Sequence, residues 1–194
     1  MLNIVRFITL VSICFIVLLP VTTAQDLDRL DEPPAAVGRV PMTLDRIDEL
    51  VRRIDADAIR NGSSWQINYR DMPIYVIADD NADRIRIMSP VSNAAILTEA
   101  QLLRLMQANF ESALDARYAI AQGAVWSAFI HPLSALDERE FFSGMGQTMS
   151  LVVTYGSTFS SGALTYSGGD YFGDDDNSDE PDVFGDIMEK GEQI

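Results

Sequence analysis

Apolar residues along this chain follow two rhythms that alternate in blocks. Leu44, Ile47, Leu50, Val51, Ile54 and Ala58 recur every three or four positions, the period of a helix with one buried face. Thr43 stands where an N-cap hydroxyl belongs, Asp45 falls in the first turn, and Asn61-Gly62 predicts the helix end, because both residues tolerate a left-handed backbone. The rhythm then shortens to two. Trp65, Ile67 and Tyr69 alternate with Gln66 and Asn68, and Ile85 and Ile87 alternate with Arg84 and Arg86, the pattern of strands half in water. Met72–Ala78 reads as a strand between them, with turns at Arg70-Asp71 and at the DDNAD run over 79–83, and Pro90 predicts the end of the third strand, since it cannot donate to a ladder.

A second helix opens at Thr98, where Thr98-Glu99-Ala100-Gln101 matches a capping box. Its apolar residues Leu102, Leu105, Met106 and Phe110 predict the buried face. Arg117–Ala121 and Ala124–His131 predict a hairpin about Gln122-Gly123. Asp137-x-x-Glu140 is again a cap, and Phe142, Met145, Met149, Val152, Val153 and Gly156 follow a helical stripe, weakened by Gly144 and Gly146. The expected order is helix, three strands, helix, two strands, helix. This is an α+β domain over 43–162, with an antiparallel sheet packed by helices.

The run after 162 differs in kind. Asp170–Ile194 holds 10 acids against Lys190 alone, and GGDYFGDDDNSDEPD has too little apolar surface to offset the entropy of ordering. Residues 163–194 therefore read as an acidic, mostly disordered tail. Val183, Phe184, Ile187 and Met188 are its exception, one apolar turn of the kind that docks in a groove but does not fold alone.

The wording DDNADRIRIMSP, then LLRLMQANFESALDARYAI, then GAVWSAFIHPLSALDEREF resembles the YbjN-like branch of the type III secretion chaperone-like superfamily. The resemblance spans Leu44 to Thr158, 115 of 194 residues, and rests on packing and turn positions. It implies an antiparallel sheet with helices on one face, frequent dimerisation, and non-enzymatic binding of polypeptide partners. The chain departs from the cytoplasmic chaperones of that superfamily in its two ends.

At the N-terminal end, Arg6 precedes an apolar run from Phe7 to Leu19, Pro20 breaks it, and Val21-Thr22-Thr23-Ala24 supplies small residues. A run this short of the about 20 residues a spanning helix needs predicts a secretory signal over 1–24, cleaved after Ala24. An uncleaved anchor is the alternative. Cys14, the only cysteine, follows bulky Ile13 inside the run, which argues against a lipid-attachment box. Residues 25–42 (QDLDRLDEPPAAVGRVPM) read as an acidic, proline-rich linker. The exported product would contain no cysteine, hence no disulfide, thiol nucleophile or thiolate metal site. Its stability must come from a hydrophobic core.

The whole chain carries 29 acids and 14 bases, a net charge of −15. Without Arg6 the balance is −16. Acidity on this scale argues against nucleic acid or an anionic membrane surface as partner, because both require basic patches.

No constellation in the sequence predicts catalysis, a cofactor or a metal site. His131 is the only histidine, precedes Pro132 at a strand end, and has no G-x-S-x-G elbow to serve. One histidine also falls short of a zinc site. Asp79-x-Asn81-x-Asp83 opens with calcium-loop spacing but places Arg84 where glycine is required and Pro90 where a bidentate glutamate is required. Asp174, Asp176 and Ser178 fail similarly, with Asp179 at the glycine position. Turn chemistry accounts for DDNAD. Gly144-x-Gly146 lacks the third glycine and the preceding strand of a dinucleotide fingerprint. Glu138 and Glu140 open a helix, where acids favour the dipole. Trp65, Trp126, Tyr69 and Tyr75 read as core or dimer contacts before they read as a stacking platform, and Trp126 is expected inside. Arg84 and Arg86 share a strand face, either solvated or gripping an acidic partner.

The sequence thus predicts an exported, periplasmic or secreted, non-enzymatic binding or chaperone-like protein. Its partner is a polypeptide of unknown identity or a second copy of the chain as a homodimer. A membrane-tethered interaction or regulatory protein with an uncleaved signal anchor is the alternative.

Overall fold

The computed structural model describes residues 41–161 and 181–192. The expected signal segment, most of the expected linker and the GGDYFGDDDNSDE run lie outside the described residues. What is described is an α+β domain, a six-stranded antiparallel sheet packed by helices.

Helix α1 (Leu44–Ile54) begins as expected, with the Thr43 hydroxyl accepting from the Arg46 amide at 3.1 Å. It ends well before Asn61-Gly62. Asp55 is extended, and its carboxylate accepts from the backbone amides of Asn68, at 2.8 Å, and Asp57. That bond to the neighbouring strand outcompetes another helical turn. Ala58 stays buried, but Ile59–Asn61 become a short strand β1, and Gly62 at φ +62° turns the chain into β2 (Ser64–Tyr69).

Strands β3 (Met72–Asp79) and β4 (Arg84–Asn93) follow, then a short 3-10 turn at Ala94–Ile96 and helix α2 (Glu99–Glu111). The hairpin β5 (Arg117–Ala121) and β6 (Ala124–His131) leads into α3 (Glu138–Val153), and α4 spans Val183–Glu192. The strand order is β1-β2-β3-β4-β6-β5, antiparallel throughout. Arg70-Asp71 and Gln122-Gly123 are two-residue turns with positive φ at both positions, the backbone that matches the twist of paired strands. Both expected capping boxes are present, Thr98 with Gln101 and Asp137 with Glu140.

Pro90 does not end β4. Pairing with β3 stops at Tyr75–Met88, and beyond that point β4 pairs only with β6, through a bulge between Pro90 and Ser92. A proline is tolerated where one side of the strand has no ladder to feed.

One face of the sheet forms the core. Trp65, Ile67 and Tyr69 from β2, Ile74, Val76 and Ala78 from β3, Ile85 and Ile87 from β4, and Val125 and Phe129 from β6 are buried. Helix α3 crosses this face and is buried around most of its circumference, with Phe141, Phe142, Met145, Met149 and Leu151 inside. Its buried Gln147 is satisfied. The side-chain oxygen accepts from the amides of Asp115, at 2.8 Å, and Ala116, at 3.1 Å, while the nitrogen donates to Ser143 Oγ. A polar side chain thereby fixes the connection between α2 and β5.

Two expected burials are reversed. Helix α2 buries Leu105 and Ala108, whereas Leu102, Met106 and Phe110 are exposed. The helix lies beside the β5 edge, where the Asn109 side chain both accepts from and donates to the Tyr118 backbone at 2.7 and 3.1 Å. An amide mimicking a neighbouring strand sets the helix rotation, and the longer apolar residues turn outward. The second reversal is the C-terminal segment. Val183–Glu192, expected within the tail, is helical and packs on α3 with Val183 and Ile187 fully buried.

Candidate functional site

Among the described residues the second face of the sheet is open, and across β3, β4 and β6 it is largely apolar. Strand pleat places Tyr75 and Ile77 of β3, Met88 and Pro90 of β4, and Trp126, Ala128 and Ile130 of β6 on that side. Not one of these seven is buried; Ile77 and Ile130 are exposed and the others half-buried. They form contiguous rows across the strands. Tyr75 lies opposite Met88, Met88 opposite Ala128, and Ala128 opposite Arg117. In the next row Ile77 lies opposite Arg86, and Arg86 opposite Ile130. Trp126 stands between Pro90 and Ala119.

Trp126 is therefore not a core residue. Its ring meets Tyr75 edge to face at a centroid distance of 6.2 Å, and its N–H donates to the Ala121 carbonyl at 3.0 Å. The four aromatics singled out in the sequence divide cleanly. Trp65 and Tyr69 are inside, Tyr75 and Trp126 outside. An aromatic pair fixed in this way presents a preorganised apolar surface at little entropic cost.

Two arginines border the strip, Arg84 and Arg117, and a third, Arg86, stands within its second row. Arg84, Arg86 and Arg117 all point outward and are exposed, and among the described residues none forms an ion pair with a carboxylate. Arg84 and Arg117 donate to the backbone carbonyls of Asp83 and Ala116. The arginines of α1 behave differently. Arg46 and Arg53 both grip Glu138, and Arg52 pairs with Asp48. Burial alone would raise the Glu138 carboxyl, but its hydrogen bonds and charge contacts with Arg53 and Arg46 outweigh that and hold it below the ordinary glutamate range. Glu138 is thus a clamp between α1 and α3.

The carboxylates with calcium-loop spacing are engaged in turn structure. Asp79 accepts from the amides of Asn81 and Ala82, each at 3.0 Å. Asp83 accepts from the Ser134 amide at 2.7 Å and its hydroxyl at 2.8 Å, and these bonds hold its carboxyl below the usual aspartate range. DDNAD is a turn tied to the β6–α3 connection. His131 stacks flat on Phe129 at 5.7 Å, its Nδ1 2.8 Å from the Pro132 carbonyl oxygen. Glu140 accepts from the Asp137 amide. Gly144 and Gly146 face Phe129 and Phe184 and serve close packing.

Sequence reasoning missed Met88, Ile77, Ile130 and Arg117 as members of one surface. A signal was present. PIYVIA and AVWSAFI lack the polar alternation of a strand with one wet face, so both of their faces had to be largely apolar.

No protein-family model matches the sequence, and no curated protein matches it. Solved structures similar to part of the chain include chains of two complexes. A chain of the ExsC–ExsE complex aligns with a TM-score of 0.46 and 12% identity, covering 58% of this chain and 92% of that one. A chain of the HopA1–SchA chaperone–effector complex aligns with a TM-score of 0.39 and 12% identity, covering 58% and 97%.

Proposed function

We propose that this domain is a chaperone-like binding module that takes an acidic polypeptide segment bearing apolar side chains on its open sheet face. The observation that carries the reading is the Tyr75–Met88–Trp126–Ile130 strip with Arg86 within it and Arg84 and Arg117 at its border, in a chain of net charge −15. Three arginines that pair with no carboxylate among the described residues, set beside exposed apolar surface, favour a partner of opposite charge that also buries hydrophobic groups. The sequence resemblance to the YbjN-like branch supports the same reading, and we infer membership of that branch from it.

Selection of a random peptide library on the purified domain tests this. Recovered peptides should combine Asp or Glu with aromatic or aliphatic residues. Arg86→Glu together with Trp126→Ala should weaken them at least tenfold, and affinity for the unchanged domain should fall with salt. Peptides without acidic residues, or binding indifferent to both substitutions, would remove the open face from the proposal.

We further propose export to the periplasm or medium with cleavage after Ala24, supported by the short apolar run and the small residues before Gln25. The mature N-terminus should then be Gln25 by mass spectrometry. Intact Met1 on protein recovered only with membranes would favour the anchor.

A further inference from the structure

Helix α4 is held the way a receptor holds a peptide ligand. Ten residues are fewer than the roughly 12–15 at which even a favourable sequence is helical alone in water, and two of the ten, Gly185 and Gly191, lower its propensity further. The segment is helical because it is docked. Only Val183 and Ile187 are fully buried in return.

The surface beneath it is built differently. Arg53 on α1 lies over the Phe142 ring, 5.0 Å from its centroid, and pairs with Glu138; from that position it donates to the Gly191 carbonyl at the end of α4. Arg70, 5.5 Å from the Tyr69 ring, pairs with Asp186. Both cations are set by contacts within the body, and each meets a group on α4 that suits it, a carbonyl of the last turn and a carboxylate. Gly146 of α3 supplies a notch. A Cβ there would stand 2.9 Å from the Phe184 ring and 3.4 Å from the Phe184 Cα. Receptor rigidity and ligand frailty on opposite sides of one contact are the marks of coupled folding and binding.

We propose that the groove between α1 and α3 is an exchangeable docking site for a short acidic amphipathic helix. Its resident ligand is α4, and a partner polypeptide presenting a helix of the same chemistry displaces it. The required features are two apolar residues four apart, an acid placed for Arg70, and a small residue against Phe142, the place of Gly191, where a Cβ would stand 2.6 Å from that ring. This surface is distinct from the open sheet face, so the proposal stands or falls independently of the one above.

The full chain tests it in two ways. By hydrogen exchange on the unmodified protein, the amides of Phe184–Glu192 should exchange at least 100-fold faster than those of Met145–Leu151, through local opening of α4 alone. By fluorescence anisotropy, a labelled Pro181–Ile194 peptide should bind the full chain carrying Ile187→Glu at least tenfold more tightly than the unmodified chain, whose own α4 competes at the high effective concentration of a tether. Adding Gly146→Leu should remove that binding, because the nearest atoms to a Cβ there all belong to Phe184. Near-ultraviolet circular dichroism reports whether Ile187→Glu keeps the native core. Equal exchange rates in α4 and α3 would make α4 an inseparable part of the fold and end the proposal, as would loss of the native spectrum in the Ile187→Glu chain. Peptide binding that is absent there, or indifferent to Gly146→Leu, would overturn it equally.

Discussion

Trp65→Ala should lower the unfolding free energy by about 3–5 kcal/mol, the usual cost of removing a buried large aromatic, while Trp126→Ala should cost only about 1 kcal/mol, in the range of an exposed aromatic pair. Trp65 is 1% exposed near the start of β2, facing the core with Ile67 and Tyr69. Its indole N–H donates to Asp48 of α1 at 2.9 Å, a bond that holds this carboxyl below its ordinary range and joins the first helix to the sheet. Arg60 lies over the ring, 5.2 Å from its centroid. Truncation would leave a cavity and take one donor from a carboxylate that Arg52 would then hold alone. Trp126 loses an edge contact with Tyr75 and one bond to a turn carbonyl. Chemical denaturation followed by far-ultraviolet circular dichroism measures both. Equal losses would mean that the open face is as tightly packed as the core, and the binding surface assigned to it would not exist.

The contrast between the two tryptophans shows where sequence pattern stops being informative. Period-two alternation identified the inward set of β2 and of the start of β4, since Gln66, Asn68, Arg84 and Arg86 mark the wet side unambiguously. In β3 and β6 both sides are apolar, so the pattern located the strands without saying which residues face in; Trp126 was misplaced for that reason. Local capping chemistry was fully legible. Thr43, Thr98 and Asp137 each cap the helix that follows, because the interaction is confined to four consecutive residues.

What failed was everything decided by a distant partner. The amide of Asn68 shortened α1, the backbone of Tyr118 rotated α2, and the notch at Gly146 captured α4. The four apolar residues of the C-terminal segment were recognised as a docking turn, but nothing local indicates that their groove lies in the same chain. The outward strip could be inferred only as a statement about composition, because its members come from β3, β4 and β6 and meet through register alone.

Gly144→Ala separates local propensity from tertiary packing by the sign of its effect. Helix propensity predicts a gain of roughly 0.8–1 kcal/mol, since glycine is among the poorest interior residues and alanine the best. Packing predicts a loss. The residue is buried in α3 where the helix crosses β6, and a Cβ there would lie 2.6 Å from two atoms of the Phe129 ring and 2.8 Å from a third, its Cγ. No real side-chain contact is that short, and the Cγ end of a phenylalanine cannot swing aside as the tip of a long chain can. Phe129 is itself 3% exposed and stacked on His131, so the ring has no vacant volume to enter. Helix and sheet must separate by several tenths of an ångström along the centre of the core, a strain of the kind that costs about 1–3 kcal/mol when a methyl is forced into a packed interior. The net expectation is destabilisation by about 2 kcal/mol, read as a lower denaturation midpoint with an unchanged denaturant slope. A stabilised variant would mean that α3 stands farther from β6 than this packing requires, and the glycines of α3 would revert to the weak helix residues that the sequence alone suggests.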